Sequence, residues 1–196
     1  MTGIVLSGGE SRRMGTDKAF LTLAKVPLIE HVLRALRSVC SDIIIVTNTP
    51  ERYAACNALI VTDALEKRGP LTGVYSGLLR SAEVYNMVVA CDMPFLNAAL
   101  ITYMAGLISG YDIVAPRIAG RIEPLHAIYS RGLLPVIEDH IRRDDQRVQS
   151  IFSEARVRYV TEEEIGRFDP DHRSFRNLNT QEEYKEATCS DLECRS

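Results

Sequence analysis

From Leu6 to Lys18 the chain reads Leu-Ser-Gly-Gly-Glu-Ser-Arg-Arg-Met-Gly-Thr-Asp-Lys, so the eleven residues from Gly8 to Lys18 hold three glycines and three cations. Glycines at positions 8, 9 and 15 let main-chain amides approach a ligand with no Cβ in the way. Arg12, Arg13 and Lys18 bring positive charge to the same stretch, and an arginine can fork onto phosphate oxygens. A phosphate-bearing ligand is the chemistry these residue types suit. The plainer alternative is a tight surface turn with solvated charges. Two familiar phosphate loops are excluded by spacing. A Walker A loop needs Gly-Lys-Ser/Thr after four residues, whereas Gly15 is followed by Thr16 and Asp17 before Lys18. The dinucleotide fingerprint G-x-G-x-x-G is not met by Gly8, Gly9 and Gly15.

Three further positions carry chemistry. Asp63 follows the apolar run Leu59-Ile60-Val61-Thr62 and precedes a second glycine-rich segment, Arg68-Gly69-Pro70-Leu71-Thr72-Gly73. Pro70 suits the first turn of a helix and Gly69 a tight entry to it. Asp92 ends the run Met87-Val88-Val89-Ala90-Cys91 and is followed by Met93-Pro94. It either caps the next turn or offers a hard oxygen donor for a divalent ion that also takes substrate phosphates and water. Asn48, after Ile43–Thr47, either faces a ligand or ends a strand as a simple turn residue.

These residues need a frame, and the apolar pattern supplies one. Strand-length runs recur at Ile4–Leu6, Ile43–Val46, Leu59–Val61, Met87–Ala90 and Ile113–Ala115. Between them lie segments with helical period: Leu28, Val32, Leu33, Leu36 and Val39, then Leu71–Ala82, Ala98–Ile108 and Arg131–Ile141. Continuous Ile/Val runs imply strands buried on both faces, and their alternation with helices implies a mostly parallel, doubly wound sheet in a single-domain, three-layer α/β/α fold. Ligands in such sheets collect at the carboxyl ends of strands, where Ser7, Asn48, Asp63 and Asp92 fall. Beyond residue 115 the pattern loosens around Pro124 and Pro135, the expected place for an antiparallel excursion.

The remaining features exclude more than they assign. With 196 residues, 46% hydrophobic, 25% charged and a net charge of −3, the chain gives no reason to expect nucleic acid or a membrane as partner. A cytoplasmic enzyme is the expectation. Cys40, Cys56, Cys91, Cys189 and Cys194 are odd in number and widely spaced, with no C-x-x-C pair, so reduced thiols are expected rather than a disulfide framework or a zinc site. Cys91 ends an apolar strand and reads as core. Near the carboxyl end, Thr180 with Glu183 has the form of a capping box. Lys25, Arg117, Arg121 and Arg147 are further cations, read mostly as solvated.

Written L-x-G-G-x-S-x-R-M-G-x-D-K, the segment Leu6–Lys18 resembles the signature of nucleotidyltransferases with a Rossmann-like fold, and most nearly that of the molybdenum cofactor guanylyltransferases. The strand-end Asp63 with G-P-L-x-G, the C-D-x-P at Cys91–Pro94, the Glu123-Pro124-Leu125 stretch and Asn177–Glu183 resemble further motifs of that family. Gln181 stands where the family usually has proline. The resemblance implies a nucleotide-diphospho-sugar-transferase-like domain over residues 1–187, with 188–196 as a mobile tail. It implies transfer of GMP from GTP to the terminal phosphate of molybdenum-loaded molybdopterin, with release of pyrophosphate. By that reading Arg13, Lys18 and Asp92 are catalytic. Leu6, Ser7, Gly8, Gly9, Gly15, Lys18, Asn48, Asp63, Gly73 and Asp92 bind the nucleotide, with main-chain amides from Leu6 to Gly9 on base and ribose. Asp92 holds Mg2+, and Asp17 positions Lys18. Asn179 is a further candidate near the metal, and His126 is given no catalytic role. Other proteins of cofactor biosynthesis, or a molybdoenzyme receiving the product, are the further partners implied. A cytidylyltransferase or another nucleotidyltransferase of the same fold, and a nucleotide-binding partner or sensor without catalysis, stand as alternatives.

Overall fold

The computed structural model describes residues 1–8, 18–65, 69–178 and 183. Ten strands and five α-helices follow one another along them: β1 (Thr2–Leu6), β2 (Thr22–Leu23), β3 (Val26–Pro27), α1 (Leu28–Arg37), β4 (Asp42–Val46), β5 (Leu59–Val61), α2 (Pro70–Arg80), β6 (Tyr85–Ala90), α3 (Ala98–Ala105), β7 (Ile113–Ile118), β8 (Arg121–Ile122), β9 (His126–Ser130), α4 (Leu134–Arg142), β10 (Val157–Val160) and α5 (Glu162–Gly166). All five strands read from the apolar runs are present. The helix expected at Arg131–Ile141 opens instead with a 3-10 turn at Arg131–Leu133, and Pro135 sits in the first turn of α4, where its missing N–H costs nothing. The expected tail from residue 188, with Cys189 and Cys194, and the capping box at Thr180 lie outside the described residues.

The main sheet runs in the order β10-β7-β9-β6-β1-β4-β5, with β8 paired to β7, while β2 and β3 form a separate hairpin. β1 pairs in parallel with both β4 and β6, β4 with β5, and β10 with β7. Only β9 and β8 run the other way: β9 lies antiparallel between β6 and β7, and β8 turns back on β7. That is the antiparallel excursion expected after residue 115. Its hairpin turns on Ala119 (φ 47°) and Gly120 (φ 77°), two positive φ values in the pattern of a two-residue turn that matches strand twist.

Side chains of each strand alternate between two cores. Val5, Ile43, Ile45, Met87, Val89, Val114 and Ile128 pack with α1, α3 and α5 on one face. Ile4, Leu6, Ile44, Val46, Val88, Ile113, Ala115 and Tyr129 pack with α2 and α4 on the other. This is the three-layer α/β/α arrangement. Helix α1 buries Leu28, Val32, Leu33 and Leu36 of the stripe read from the sequence, with Ile29 beside them, while Val39 lies beyond the end of the helix and is partly buried. Helix α2 approaches β1 more closely than a side chain at Gly77 allows, since a Cβ there would fall 2.5 Å from Cγ2 of Ile4.

Candidate functional site

The chain passes from β1 through α1 to β4 and β5 on one side, then through α2 to β6 on the other side of β1. The order therefore reverses between β1 and β6, and the crevice at their carboxyl ends is where such sheets bind ligands. Leu6 lies opposite Ala90 in the register, and pairing continues past both strands: Ser7 N–H donates to Val46 O at 2.8 Å and Cys91 N–H to Leu6 O at 3.1 Å. The expected nucleotide contacts by main-chain amides from Leu6 onward are narrowed by this. A central strand with partners on both sides keeps pairing beyond its last residue, so the Ser7 amide is already engaged. Gly8 is the first residue beyond the sheet. It is exposed, and an added Cβ would meet no described atom within 4 Å. Gly9, Arg13 and Gly15, with Arg12 and Asp17, lie outside the described residues, and of Lys18 the description covers only its place at the start of a 3-10 turn, Lys18–Phe20.

On the β4–β5 side, Asn48 and Asp63 meet. The Asn48 amide Nδ2 donates to Asp63 Oδ2 at 2.7 Å, joining the ends of two neighbouring strands. Sequence spacing offered no sign of this pair, because the partners are brought together by strand pairing. Behind Asp63, the buried Ser76 hydroxyl of α2 accepts from Ala64 N–H at 2.9 Å and donates to Thr72 O at 2.8 Å. Helix α2 begins where expected, with Gly69 before it and Pro70 in its first turn. Its amino terminus, an electropositive end of a helix, points to the same edge of the sheet. Gln146 braces that terminus: its main-chain carbonyl accepts from Leu71 N–H and its Oε1 from Thr72 Oγ1 at 2.9 Å. A Cβ on Gly69 would lie 2.6 Å from the same Oε1. Gly73 is buried against Leu6, with 3.3 Å from a built Cβ to Cδ2, so these two candidates pack against each other beneath the site.

On the β6 side, Asp92 is half-buried in the turn after the strand. The next helix, α3, is capped by Asn97, whose side chain accepts from Leu100 N–H at 3.0 Å. The Asp92 main-chain carbonyl accepts from Leu178 N–H at 3.0 Å, which brings the chain just before Asn179 up to this turn; Asn179 itself lies outside the described residues. The Glu123-Pro124-Leu125 stretch reaches the same edge through Ala90 N–H to Leu125 O at 3.3 Å. Burial pushes the Glu123 carboxyl up from its ordinary value, against the pull of Arg121. His126 is the first residue of β9 and wholly buried, its ring 4.8 Å from that of Phe175. Burial lowers its pKa to about 4, which keeps it neutral as a core residue. Arg117 stacks at 3.6 Å over the Tyr159 ring, Arg147 pairs with Asp145 at 3.0 Å, and Lys25 occupies the β2–β3 turn with φ 66°. Cys91 is half-buried against the core, as read from the sequence.

The donor chemistry at this edge fits an ion shared with a ligand. Among the described residues no three His, Cys, Asp or Glu side chains converge on one point. A divalent ion that takes one or two carboxylates, with phosphates and water completing its shell, needs no such cage. Asp92, half-buried in the turn after β6, is a carboxylate at this edge. A cavity of about 560 Å³ at the opposite edge of the sheet, lined by Thr2, Cys40, Asp42, Leu59 and Arg80 among others, is remote from these strand ends. No helix among the described residues is long and apolar enough to cross a membrane.

Comparison with known proteins gives the family and the fold. Residues 3–159 match the MobA-like NTP transferase domain. The chain is 41% identical over 189 residues to a molybdenum cofactor guanylyltransferase of Desulfosudis oleivorans, covering 95% of this chain and 94% of that one. It is 36% identical over 186 residues to a molybdenum cofactor guanylyltransferase of Syntrophotalea carbinolica, covering 94% and 89%. Among solved structures, molybdopterin-guanine dinucleotide biosynthesis protein A of Archaeoglobus fulgidus superposes with a TM-score of 0.86 at 25% identity, covering 98% of this chain and all of that one. A nucleotidyl transferase of Methanothermobacter shares the fold with a TM-score of 0.72 at 15% identity, over 98% of each chain.

Proposed function

We propose, for a chain that belongs to the MobA-like NTP transferase family and is a nucleotidyltransferase, the transfer of GMP from GTP to the terminal phosphate of molybdenum-loaded molybdopterin, releasing pyrophosphate. The observation that carries this reading is the meeting of the Asn48–Asp63 pair, the α2 amino terminus and Asp92 along one edge of the sheet, across the crevice between β1 and β6. A nucleotide fits the β4–β5 side, and the acceptor enters from the side of Glu123–Leu125 and Leu178. The reaction is assigned to the cytoplasm, where Cys40 and Cys56 remain thiols.

The acceptor phosphate is ionised at neutral pH and needs no general base. The barrier is the approach of one anion to another, so catalysis rests on charge neutralisation and alignment. Lys18 and Arg13 are the cations assigned to the triphosphate, countering charge as it shifts toward the departing pyrophosphate. Asp63, held by Asn48 and by the Ser76 anchor on Ala64, positions the guanosine portion. Asp92 would hold Mg2+, which when bound supplies positive charge shared among the nucleotide's phosphate oxygens.

The test is pyrophosphate release with magnesium, molybdenum-loaded molybdopterin and each of the four nucleoside triphosphates in turn. Release with GTP alone is expected. Release with CTP would keep the reaction and change the product. GTP binding with no release from any triphosphate would replace the enzyme by a binding role.

A further inference from the structure

Tyr53 is wholly buried at the end of a 3-10 turn, Pro50–Tyr53, that follows β4. A phenylalanine would fill the same space in the core, so packing alone does not account for its hydroxyl. That hydroxyl hydrogen-bonds the Oγ of Ser7, 46 residues away in sequence, at the carboxyl end of β1. The same ring packs on Phe20, centroid to centroid 5.0 Å at an interplanar angle of 51°. The Arg52 guanidinium lies 5.3 Å from the Phe20 centroid. One side chain therefore touches the last strand-end residue before the glycine- and cation-rich stretch and a residue two positions past Lys18. The Ser7 main chain is itself fixed by its bond to Val46, and the turn carrying Tyr53 begins just after Asn48 and Thr49.

We infer that Tyr53 is a positioning residue of the nucleotide site. Through its hydroxyl on Ser7 and its ring on Phe20 it sets the separation and orientation of the two chain ends that bracket the stretch, and with them where the backbone of Lys18 stands relative to the end of β1. The inference rests on the reading that this stretch binds the triphosphate. Its energetic basis is local. Removing the hydroxyl leaves the nearly buried Ser7 Oγ without this partner and lets the two ends move independently. The isosteric loss leaves the core filled.

The test is Tyr53→Phe, read by GTP and GMP dissociation constants, by KM and kcat for GTP, and by thermal unfolding. The expected result is a folded variant whose unfolding midpoint falls by only a few degrees, with affinity for GTP weakened roughly three- to tenfold, the worth of one hydrogen bond, and affinity for GMP much less affected. Ser7→Ala should do the same, and the double variant should be no worse than either alone, because both remove one interaction. Parent-like GTP affinity and kinetics in Tyr53→Phe, or strictly additive effects in the double variant, would overturn the inference. Should Tyr53→Phe fail to fold, Ser7→Ala breaks the same bond without touching the core ring, and its GTP affinity decides in the same way. Lys18→Ala separates this inference from the reading beneath it. Unchanged GTP binding in Lys18→Ala removes the triphosphate assignment itself, while weakened binding there beside a normal Tyr53→Phe removes only the role of Tyr53.

Discussion

The two halves of the sheet are built by different means. In the β1–β4–β5 half all strands are parallel, and side-chain hydrogen bonds from uncharged donors hold its loops: Asn48 on Asp63, Ser76 with Ala64, Tyr53 with Ser7 and Thr72 on Gln146. In the β6–β9–β7–β10 half the strands are mixed, and the segments at the site's edge are tied by main-chain bonds, Leu178 to Asp92 and Ala90 to Leu125. Its outer rim is fastened by charge. Arg158 and the Tyr103 hydroxyl both engage the Glu164 carboxylate, joining β10 and α3 to α5. One half is thus held by directional side-chain hydrogen bonds next to its strand ends, the other by main-chain bonds at the edge and an ion pair at its rim.

That contrast can be broken at several points. The largest effect is expected at the seam. Asp92→Ala should fold normally and lose about a hundredfold or more in kcat, since a metal carboxylate accounts for several kcal/mol of transition-state stabilisation. Magnesium-dependent turnover close to that of the parent would take Asp92 out of the mechanism. Next comes Gly77→Ala, which sharpens the claim that the parallel half is tightly packed. The added Cβ meets Ile4 at 2.5 Å, and the strain should cost about 1–3 kcal/mol, more than the helix propensity gained, as a lower urea midpoint.

Glu164→Gln probes the charged rim. Partial burial pushes the Glu164 carboxyl upward, but hydrogen bonds from the Thr161 main chain, Tyr103 and Arg158 outweigh it and hold the pKa at about 2, below the usual 4.5. A depressed carboxylate pKa adds stability above the unfolded-state value, and this is lost as pH falls from about 4.5 through about 2. The variant should be less stable than the parent by about 1–2 kcal/mol at pH 7, with the gap closing over that acid range in denaturant titrations. A gap independent of pH would show that the carboxylate charge is not what fastens the rim. The smallest effect is expected from Ser76→Ala, which leaves Ala64 N–H without this partner and loosens Asp63. KM for GTP should rise about two- to fivefold with kcat nearly unchanged, and KM for the acceptor should stay put.

The parts of this site that could be read in advance were those written in consecutive residues. The five apolar runs became strands because Ile and Val clusters of that length can be buried on both faces, and the Gly69-Pro70 entry became the start of α2 for the local reason expected. β9 and β10 went unread because they begin with His126 or alternate Val157-Arg158-Tyr159-Val160, patterns that become strands only when a neighbouring edge accepts them. The capping box at Thr161 and Glu164 was present as Thr-Glu-Glu-Glu and equally unread, its helix being only five residues long.

The amino-acid sequence by itself determined the alternation of strand and helix and the strand-end positions of Ser7, Asn48, Asp63 and Asp92. These follow from residue type and local spacing, which act over a few bonds. Only the tertiary structure decided that Asn48 holds Asp63, that Leu178 returns to the Asp92 turn, and that Tyr53 spans Ser7 and Phe20. Each of these joins residues whose order along the chain says nothing of their distance, because strand pairing and the crossing of helices over the sheet bring them together.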